Sequence, residues 1–421
     1  MPISESLKEN YISILEEELV SAMGCTEPIA IAYAASVLYD VLRYRPTHMR
    51  AGFSGNIIKN VKSVIVPATG GQSGIETAIA AGIISGSPKR KLEVLCSLKP
   101  EDAELIREYK SHTAIEVYEL DTDEQFEVDL VADDAHVHFA KRHTNITLAE
   151  RGGVDLTEKY GSKDTVIGES TDRSLLNVKD IVDFAEEVEL SRVEELIRHQ
   201  ISLNYAIAKE GIEGKWGAAI GRTLLLSGSD TRTRARAYAA AGSDARMNGC
   251  ERAVMIISGS GNQGITASVP IIVYAEDLGK SEEELIRALL VSDLITIHQK
   301  SGIGCLSAYC GAISAGCGCA CGISFLCGGR YEQIAHTLVN ALAILSGTIC
   351  DGAKASCAAK IAMAVEAGIM GYEMYRAGYE FRGGEGIVTK GVERTIENVG
   401  RLARDGMSST DKEIIKIMLG Q

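Results

Sequence analysis

The chain has 421 residues, and 43 lysines and arginines against 57 aspartates and glutamates give a formal net charge of −14. This excess of acid leaves no basic stripe for phosphate contacts, so nucleic acid is excluded as an expected partner. No apolar run is long enough to span a membrane, and the N-terminus lacks the layout of a signal peptide, so we expect a cytoplasmic protein with no membrane partner.

Cysteines are the most informative residues of the composition. Eleven are present, and all except Cys25, Cys96 and Cys250 lie between Cys305 and Cys357. In a reducing compartment such a cluster indicates metal binding or catalysis rather than a disulfide framework. Glycine is also abundant at 43 residues, whereas there are only 6 phenylalanines and 1 tryptophan.

Two helices are predicted within residues 1–46, because apolar residues recur every three or four positions on both sides of Gly24-Cys25-Thr26-Glu27-Pro28. Thr26 is a suitable N-cap for the second helix, with Glu27 and Pro28 in its first turn. Cys25 then lies at a helix N-terminus, where the dipole favours the thiolate. We therefore expect a cysteine of lowered pKa here.

Short β-like runs separated by glycine-rich or charged turns predict an α+β module over residues 47–178. One helix is expected within it, at 74–85. The predicted strands are 63–66, 92–97, 114–119, 126–131 and 136–139.

From residue 179 to residue 421, most segments have helical periodicity with Ala, Gly, Ser and Cys at the apolar positions. The predicted fold class is therefore α+β. A small α+β module is inserted after an N-terminal helical segment and is followed by a large Ala/Gly-rich all-helical catalytic domain. The N-terminal helices, 1–46, are expected to pack on that domain.

A glycine-rich loop follows the apolar run 252–258 and reads Gly259-Ser260-Gly261-Asn262-Gln263-Gly264. The G-x-G-x-x-G pattern is typical of dinucleotide sites, but the segment up to Glu276 is too short for a Rossmann unit and Pro270 interrupts it. The loop is also similar to the asparagine loop of pyridoxal-phosphate lyases, although Lys215 is a poor Schiff-base candidate. Successive N–H groups in such a turn suit a carboxylate, while a simple tight turn is the alternative.

The clustered cysteines fit neither a zinc knuckle nor a ferredoxin. No C-x₂-C pair is present, and His298 and His336 are isolated. Two interpretations stay open: three thiolates that meet around one cluster, or small cysteines that only pack among alanines.

Six segments of the chain together show a family resemblance, and they are 24–28, 243–247, 258–264, 306–312, 350–354 and the tail 395–407. Their combination resembles the iron–sulfur L-cysteine desulfidase family, which is related to the alpha chain of bacterial iron–sulfur L-serine dehydratases. The resemblance implies a lyase with a [4Fe-4S] cluster held by three cysteine ligands, which by motif are Cys310, Cys350 and Cys357. Serine dehydratases have a Ser-His-Thr type motif where this chain has Cys25-Thr26, and this departure favours L-cysteine as substrate.

The reaction that the resemblance implies is β-elimination of L-cysteine to pyruvate, ammonia and sulfide. Cys25 would be the base, and an iron without a cysteine ligand would be the Lewis acid. A homodimer is also implied. The substrate-binding candidates are Ser258, Gly259, Ser260, Gly261, Asn262, Gln263, Asn56, Lys59 and His143, and the charges of cluster or carboxylate could be neutralised by Arg246, Lys300 and Lys354.

Seven cysteines have no predicted chemistry and are expected to pack, among them Cys96, Cys305 and Cys327. Other functions stay open as well. An L-serine dehydratase would use the same elimination, and a pyridoxal-phosphate lyase would need a reactive lysine. A non-catalytic iron–sulfur redox or iron sensor would leave Cys25 and the glycine loop unexplained.

Overall fold

The computed structural model of the protein describes residues 3–161, 171–304 and 306–420. Cys305, which is predicted to pack, lies outside the described residues. A small sheet region and a large helical part are present, which confirms the predicted α+β class. No helix among the described residues is both long and apolar enough to cross a bilayer.

The N-terminal segment contains α1 (Glu5–Glu18), β1 (Val20–Met23) and α2 (Thr26–Leu42). The two predicted helices are therefore confirmed, with a short strand between them. Ser4 caps α1 by accepting a hydrogen bond from the backbone N–H of Leu7. Almost every residue of α2 is buried, as expected for a helix covered by protein on all sides.

The next module is built on a six-stranded sheet of order β3-β2-β4-β5-β6-β7. Strands β2 and β3 are parallel and the other neighbours are antiparallel. The elements are β2 (His48–Phe53), α3 (Gly55–Val61), α4 (Ile75–Ser85), α5 (Asp102–His112), β3 (Ala114–Glu119), β4 (Glu127–Ala132), β5 (Ala135–Ala140), β6 (Ile146–Arg151) and β7 (Val154–Asp155).

Three of the predicted strands, at 114–119, 126–131 and 136–139, are confirmed to within about a residue at either end, and so is the helix at 74–85. The prediction of a strand at 63–66 is wrong, since Ile65 contributes only an isolated bridge to Ser73. The strand predicted at 92–97 is also wrong, because this segment begins inside the 3₁₀ helix Pro88–Glu93 and continues without pairing to a strand. Strands β2, β6 and β7 were not anticipated.

From residue 171 onward, the described part of the chain is helical apart from a single strand, β8, which pairs antiparallel with β1 in a two-stranded sheet. The elements are α6 (Val178–Glu187), α7 (Glu194–Glu213), α8 (Ile220–Leu225), α9 (Thr231–Met247), β8 (Ala253–Ile256), α10 (Gly261–Leu278), α11 (Glu282–Ser301), α12 (Gly311–Leu326), α13 (Tyr331–Ile344), α14 (Cys357–Arg376), α15 (Val392–Arg401) and α16 (Ser408–Leu419).

Helix α12 is the centre of the helical part, where α10, α11, α13 and α14 surround it. Its small residues make this close packing possible. A Cβ added to Gly316 would lie 2.5 Å from the carbonyl oxygen of Ala364 on α14, so only glycine allows the two helices to approach this closely.

The N-terminal segment contacts both parts of the molecule. Helix α1 packs on α11 and β1 pairs with β8, whereas α2 packs against α4 and strands β4 to β6. Most of α2 thus packs on the α+β module, while α1 and β1 lie on the helical part. The packing of segment 1–46 on the catalytic domain and the domain boundaries at residues 46 and 178 stay predictions.

Candidate active site

A cavity of about 90 Å³ brings together residues from both ends of the chain. We call it the cysteine cavity. Helices α2, α9 and α10 contribute to its wall, as do the chain segments before α12 and α14. The polar and thiol side chains around it include Cys25, Glu27, Asn60, Arg246, Ser260, Asn262, Gln263, Lys300, Cys310, Cys350 and Cys357.

Two of the predicted cluster ligands are neighbours because their chain segments pair. The backbone N–H of Cys310 donates to the carbonyl of Thr348 at 2.9 Å, and that of Cys350 donates to the carbonyl of Ala308 at 2.7 Å. This short antiparallel pairing places the two thiols side by side, although they are far apart in sequence.

The three cysteines lie at turns and helix N-termini. Cys310 is the N-cap of α12, and Cys357 is the first residue of α14. A hydrogen bond from the Cys310 thiol lowers the pKa of Cys350 to about 6 in spite of burial, with help from the positive charges of Lys59 and Lys360. The same interaction raises the pKa of Cys310, so the pair holds one proton.

The donor set fits an iron–sulfur cluster. Thiolates are the ligands of such clusters, and three of them leave one iron without a cysteine. Among the described residues, no group of three or more His, Cys, Asp or Glu side chains is arranged to hold a single metal ion. Cluster ligands bind different iron atoms and need not converge on one point, so the chemistry of these donors suits a cluster better than an isolated ion.

Cys25, the N-cap of α2, lines the same cavity. Its position at a helix N-terminus is as predicted, but the prediction of a lowered pKa is wrong. Burial and the negative charge of Glu27 raise the pKa of the thiol well above its ordinary value, and the charge of Arg246 offsets this only in part. The thiol donates a hydrogen bond to Oε2 of Glu27 at 3.1 Å.

Thr26 was predicted as the N-cap and is instead the first residue of α2. Its hydroxyl donates to the carbonyl oxygen of Gly259 at 2.7 Å. This contact ties the start of α2 to the glycine turn and therefore fixes the position of Cys25 relative to α10.

Glu27 was not predicted as a site residue. It is 7% exposed, and its carboxylate also accepts hydrogen bonds from Asn60 Nδ2 at 3.0 Å and from the Thr26 hydroxyl at 3.1 Å. Burial raises its pKa, but the charges of His143 and Arg246 and the bond from Cys25 outweigh burial and lower it. The available signal was a carboxylate two residues after the cysteine in a first helical turn.

The glycine-rich loop is a tight turn followed directly by α10. Ser258 and Gly259 have φ of 47° and 77°, and Ser260 is the N-cap of the helix. The N-terminus of α10, with Asn262 and Gln263 in its first turn, faces the cysteine cavity. The predicted carboxylate nest is therefore the end of a helix, where the dipole also favours an anion.

The remaining loop residues have other positions. Ser258 and Gly259 line a neighbouring cavity of about 350 Å³, together with His143. Gly261 packs on the guanidinium of Arg246, since an added Cβ would lie 2.4 Å from Nε. Five of the six predicted residues thus divide between the two cavities, and Gly261 contacts Arg246 instead.

Arg246 is the most unusual side chain of the cysteine cavity. It is 2% exposed, and its Nε and Nη2 have no hydrogen-bond partner among the described residues. Asn262 Oδ1 and Gln263 Oε1 are buried without a partner as well. Buried polar groups without partners are costly, so the guanidinium requires an acceptor and the two amide oxygens require donors. This wall of the cavity therefore suits a ligand that carries both an anionic group and hydrogen-bond donors.

His143, Asn56 and Lys59 are not among the described residues that line the cysteine cavity. The buried ring of His143 packs against that of Phe126 in a tilted arrangement, with centroids 4.6 Å apart and an interplanar angle of 52°, and its Nε2 has no partner in the described structure. Lys59 forms an ion pair with Asp411 at 2.5 Å, so it contributes charge rather than a direct contact.

The other cysteines separate into buried and exposed groups. Cys250 is buried, as are Cys317, Cys319 and Cys321 inside α12. Cys96 and Cys327 are exposed, so the packing prediction is wrong for them. Cys327 follows the last residue of α12, where the chain leaves the interior. Lys215, the lysine considered for a Schiff base, is exposed.

Comparison with known proteins decides the family. Residues 89–416 match the family model of the serine dehydratase alpha chain. This chain belongs to that family.

UPF0597 proteins are similar to this chain over nearly its whole length. A UPF0597 protein of Desulfitobacterium hafniense strain Y51 is 53% identical over 98% of this chain and 97% of its own length. A UPF0597 protein of Treponema denticola is 43% identical over 100% of both chains, and one of Lachnoclostridium phytofermentans is 45% identical over 98% of this chain and 99% of its own. The predicted relation to serine dehydratases is therefore confirmed, and with it a relation to dehydratase-like iron–sulfur lyases.

Proposed function

We propose that this member of the serine dehydratase alpha chain family catalyses the [4Fe-4S]-dependent β-elimination of L-cysteine to pyruvate, ammonia and sulfide. One observation carries the proposal: Cys310, Cys350 and Cys357 line the same cavity as Cys25 and Arg246, whose Nε and Nη2 are buried without a hydrogen-bond partner among the described residues. Cluster ligands, a proton-accepting group and a site for a carboxylate are thus neighbours, which is what an elimination from an amino acid requires.

Cys310, Cys350 and Cys357 would hold the cluster. Lys59 and Lys360 act electrostatically on Cys350 and would offset the negative charge of the thiolates. When bound, the cluster would supply a Lewis-acidic iron that stabilises the sulfur leaving group.

Arg246 and the N-terminus of α10 would bind the substrate carboxylate. A guanidinium can form two parallel hydrogen bonds to a carboxylate, and Nε and Nη2 of Arg246 are buried donors that have no partner in the part of the chain that the structure describes. Ser260, Asn262 and Gln263 surround the adjoining helix end, whose dipole favours the same negative charge. Two independent features of this wall therefore select an amino acid by its carboxylate.

Cys25 would remove the proton from Cα. It lies in the cavity wall that also includes Arg246 and the cluster ligands, so a bound amino acid would extend between carboxylate site and cluster site past the thiol. Loss of sulfide leaves aminoacrylate, which tautomerises and hydrolyses to pyruvate and ammonia. Because the surrounding residues are buried, the cavity would exclude water until the bond to sulfur has broken.

L-serine is the second candidate substrate, because the family takes its name from serine dehydratases. Its elimination needs the same ligands and the same base, with hydroxide as leaving group. The presence of Cys25-Thr26 where the dehydratase motif is expected favours L-cysteine.

The test is anaerobic purification with iron and sulfide analysis, followed by pyruvate and sulfide assays on both amino acids. We expect bound iron and a higher kcat/KM for L-cysteine than for L-serine, with D-cysteine inactive as control. A higher kcat/KM for L-serine would make the protein a dehydratase. An iron-loaded protein that turns over neither amino acid would contradict the proposal and favour an iron–sulfur sensor.

A further inference from the structure

We propose that Glu27 takes the thiol proton of Cys25 while the sulfur of Cys25 takes the proton that leaves Cα. This inference rests on the proposed elimination reaction. It assigns a catalytic relay to a carboxylate that the sequence patterns did not single out.

The need for such an acceptor comes from the environment of Cys25. The residue is 3% exposed and its thiol lies 3.1 Å from a carboxylate oxygen. A buried thiol beside a negative charge keeps its proton, because neither solvent nor a nearby cation stabilises the thiolate enough. A protonated thiol is a weak base toward a carbon acid, so its proton must leave as the new one arrives.

Glu27 is the group placed to receive it. Oε2 accepts the hydrogen bond from Cys25, and Asn60 Nδ2 donates to Oε1 at 3.0 Å. The Thr26 hydroxyl lies 3.1 Å from Oε2 and its oxygen is in turn fixed to Gly259. The carboxylate is therefore held with one oxygen toward the thiol, which is the geometry that a relay needs.

Charged groups on other elements keep Glu27 ready to accept a proton. Arg246 on α9 and His143, which follows β5, both act on it electrostatically. Lys300 on α11 lines the same cavity. With these groups around it, Glu27 is ionised before substrate is deprotonated, while Cys25 is not.

The step conserves atoms and electrons. The Cα–H bond breaks and an S–H bond forms on Cys25, while the original S–H bond breaks and an O–H bond forms on Glu27 Oε2. The electron pair of the Cα–H bond becomes the Cα=Cβ double bond, and the Cβ–S bond breaks with its pair on sulfur. Glu27 then returns its proton to the departing sulfide, which restores both side chains.

The first test compares Glu27→Gln, Glu27→Asp and wild type after anaerobic purification. Loss of a general base typically lowers rates by 10²–10⁴-fold, so we expect kcat of Glu27→Gln to fall by at least about 10²-fold with iron content and KM little changed. Glu27→Asp keeps the charge on a shorter side chain, and a smaller loss is expected. Glu76→Gln is the matched control, because Glu76 is an exposed glutamate in the first turn of α4.

The second test needs no turnover. Alkylation of Cys25 by iodoacetamide is followed by mass spectrometry as a function of pH, with the exposed Cys96 as internal reference for reagent. Removal of the negative charge in Glu27→Gln should shift Cys25 alkylation to lower pH, whereas Glu27→Asp and Glu76→Gln should follow wild type. If Glu27→Gln does not fold, the retained profile and reduced kcat of Glu27→Asp still test the relay.

Wild-type kcat in Glu27→Gln, or an alkylation profile that does not move, would overturn the relay. A wild-type protein that converts neither amino acid would overturn the proposed function instead. The alkylation result would then still report whether Glu27 controls the proton of Cys25, so the two failures are distinguishable.

Discussion

Two sets of three cysteines lie near each other in sequence and have opposite surroundings. Cys310, Cys350 and Cys357 lie at turns and helix N-termini around a cavity, whereas Cys317, Cys319 and Cys321 lie inside α12. The second set is denser along the sequence, because every other residue from 317 to 321 is a cysteine, yet this is the set that faces packed protein. Sequence density of cysteines is therefore a poor guide to cluster ligands, and position at a chain turn is a better one.

The physical difference between the sets is access to stabilising charge. Burial raises the pKa of Cys317 to about 12, and the thiol of Cys319 donates to the carbonyl of Gly316 at 3.2 Å in its own helix. Cys350 instead has two lysines acting on it and a pKa of about 6. Within the cavity set, Cys350 is therefore the thiol most readily converted to the thiolate, which is the form that binds iron. The hydrogen bond to Cys350 and burial raise the pKa of Cys310, and burial and the charge of Cys350 raise the pKa of Cys357.

Replacing a cavity cysteine should have the largest effect. We expect Cys350→Ala to lose bound iron, visible absorbance and all elimination activity, because two thiolates cannot hold the cluster. Cys321→Ala is the matched control from α12 and should keep all three. Iron analysis and absorbance after anaerobic purification measure both variants. An iron-loaded Cys350→Ala would remove this residue from the ligand set.

A substitution in the cavity wall that would bind the substrate carboxylate should have the next largest effect. Arg246→Lys keeps a positive charge but loses the planar pair of donors, so we expect kcat/KM to fall by roughly 10²-fold through a raised KM. Arg234→Lys serves as control, since Arg234 lies on the same helix and pairs with Asp277 away from the cavity. Steady-state kinetics on L-cysteine decide the matter, and equal KM values in both variants would contradict the carboxylate assignment.

Much of this division between cavity and interior could be predicted from the sequence. Helical periodicity predicted that the chain from residue 179 onward is mostly helical, and the motifs named the three cavity cysteines that the structure brings together. The turn around Gly259 was also predictable, because glycine favours a positive φ after an apolar run. The prediction that Pro270 interrupts the following segment is wrong, since α10 continues through it.

The electrostatics of the site could not be predicted in the same way. The pKa of Cys25 depends on Glu27, Arg246 and burial, which belong to the tertiary structure. A helix dipole acts locally and is readable from sequence, but a carboxylate at 3.1 Å in a buried site outweighs it. The pairing that joins Cys310 to Cys350 is likewise non-local and has no periodic signal.

Interior titratable groups should affect stability rather than chemistry, and Asp293 is the clearest case. It is fully buried on α11 with Gln200 as its hydrogen-bond donor, and burial raises its pKa to about 7. The folded state therefore binds a proton that the unfolded chain releases near pH 4, so this group lowers stability as pH rises from about 4 to 7.

Asp293→Asn should remove the loss of folding stability that the buried carboxyl causes as pH rises. We expect its free energy of unfolding to exceed that of wild type by about 1–3 kcal/mol at pH 8, with the difference vanishing near pH 4. Urea unfolding at several pH values measures it, and iron content should not change. Parallel stability curves for the two proteins would show that Asp293 is ionised in the folded state.

The smallest effect should come from the interior cysteines themselves. Cys319 is fully buried and its thiol only donates to a carbonyl of its own helix. Cys319→Ala removes one sulfur atom and leaves a small void, while alanine has the better helix propensity, so a loss of about 1 kcal/mol is expected. Denaturant midpoints measured on iron-free Cys319→Ala and iron-free Cys357→Ala compare how much stability the packing of an interior cysteine and of a cavity cysteine contributes. Loss of iron from native Cys319→Ala would mean that α12 shapes the cluster site, and the separation between cavity and interior cysteines would then fail.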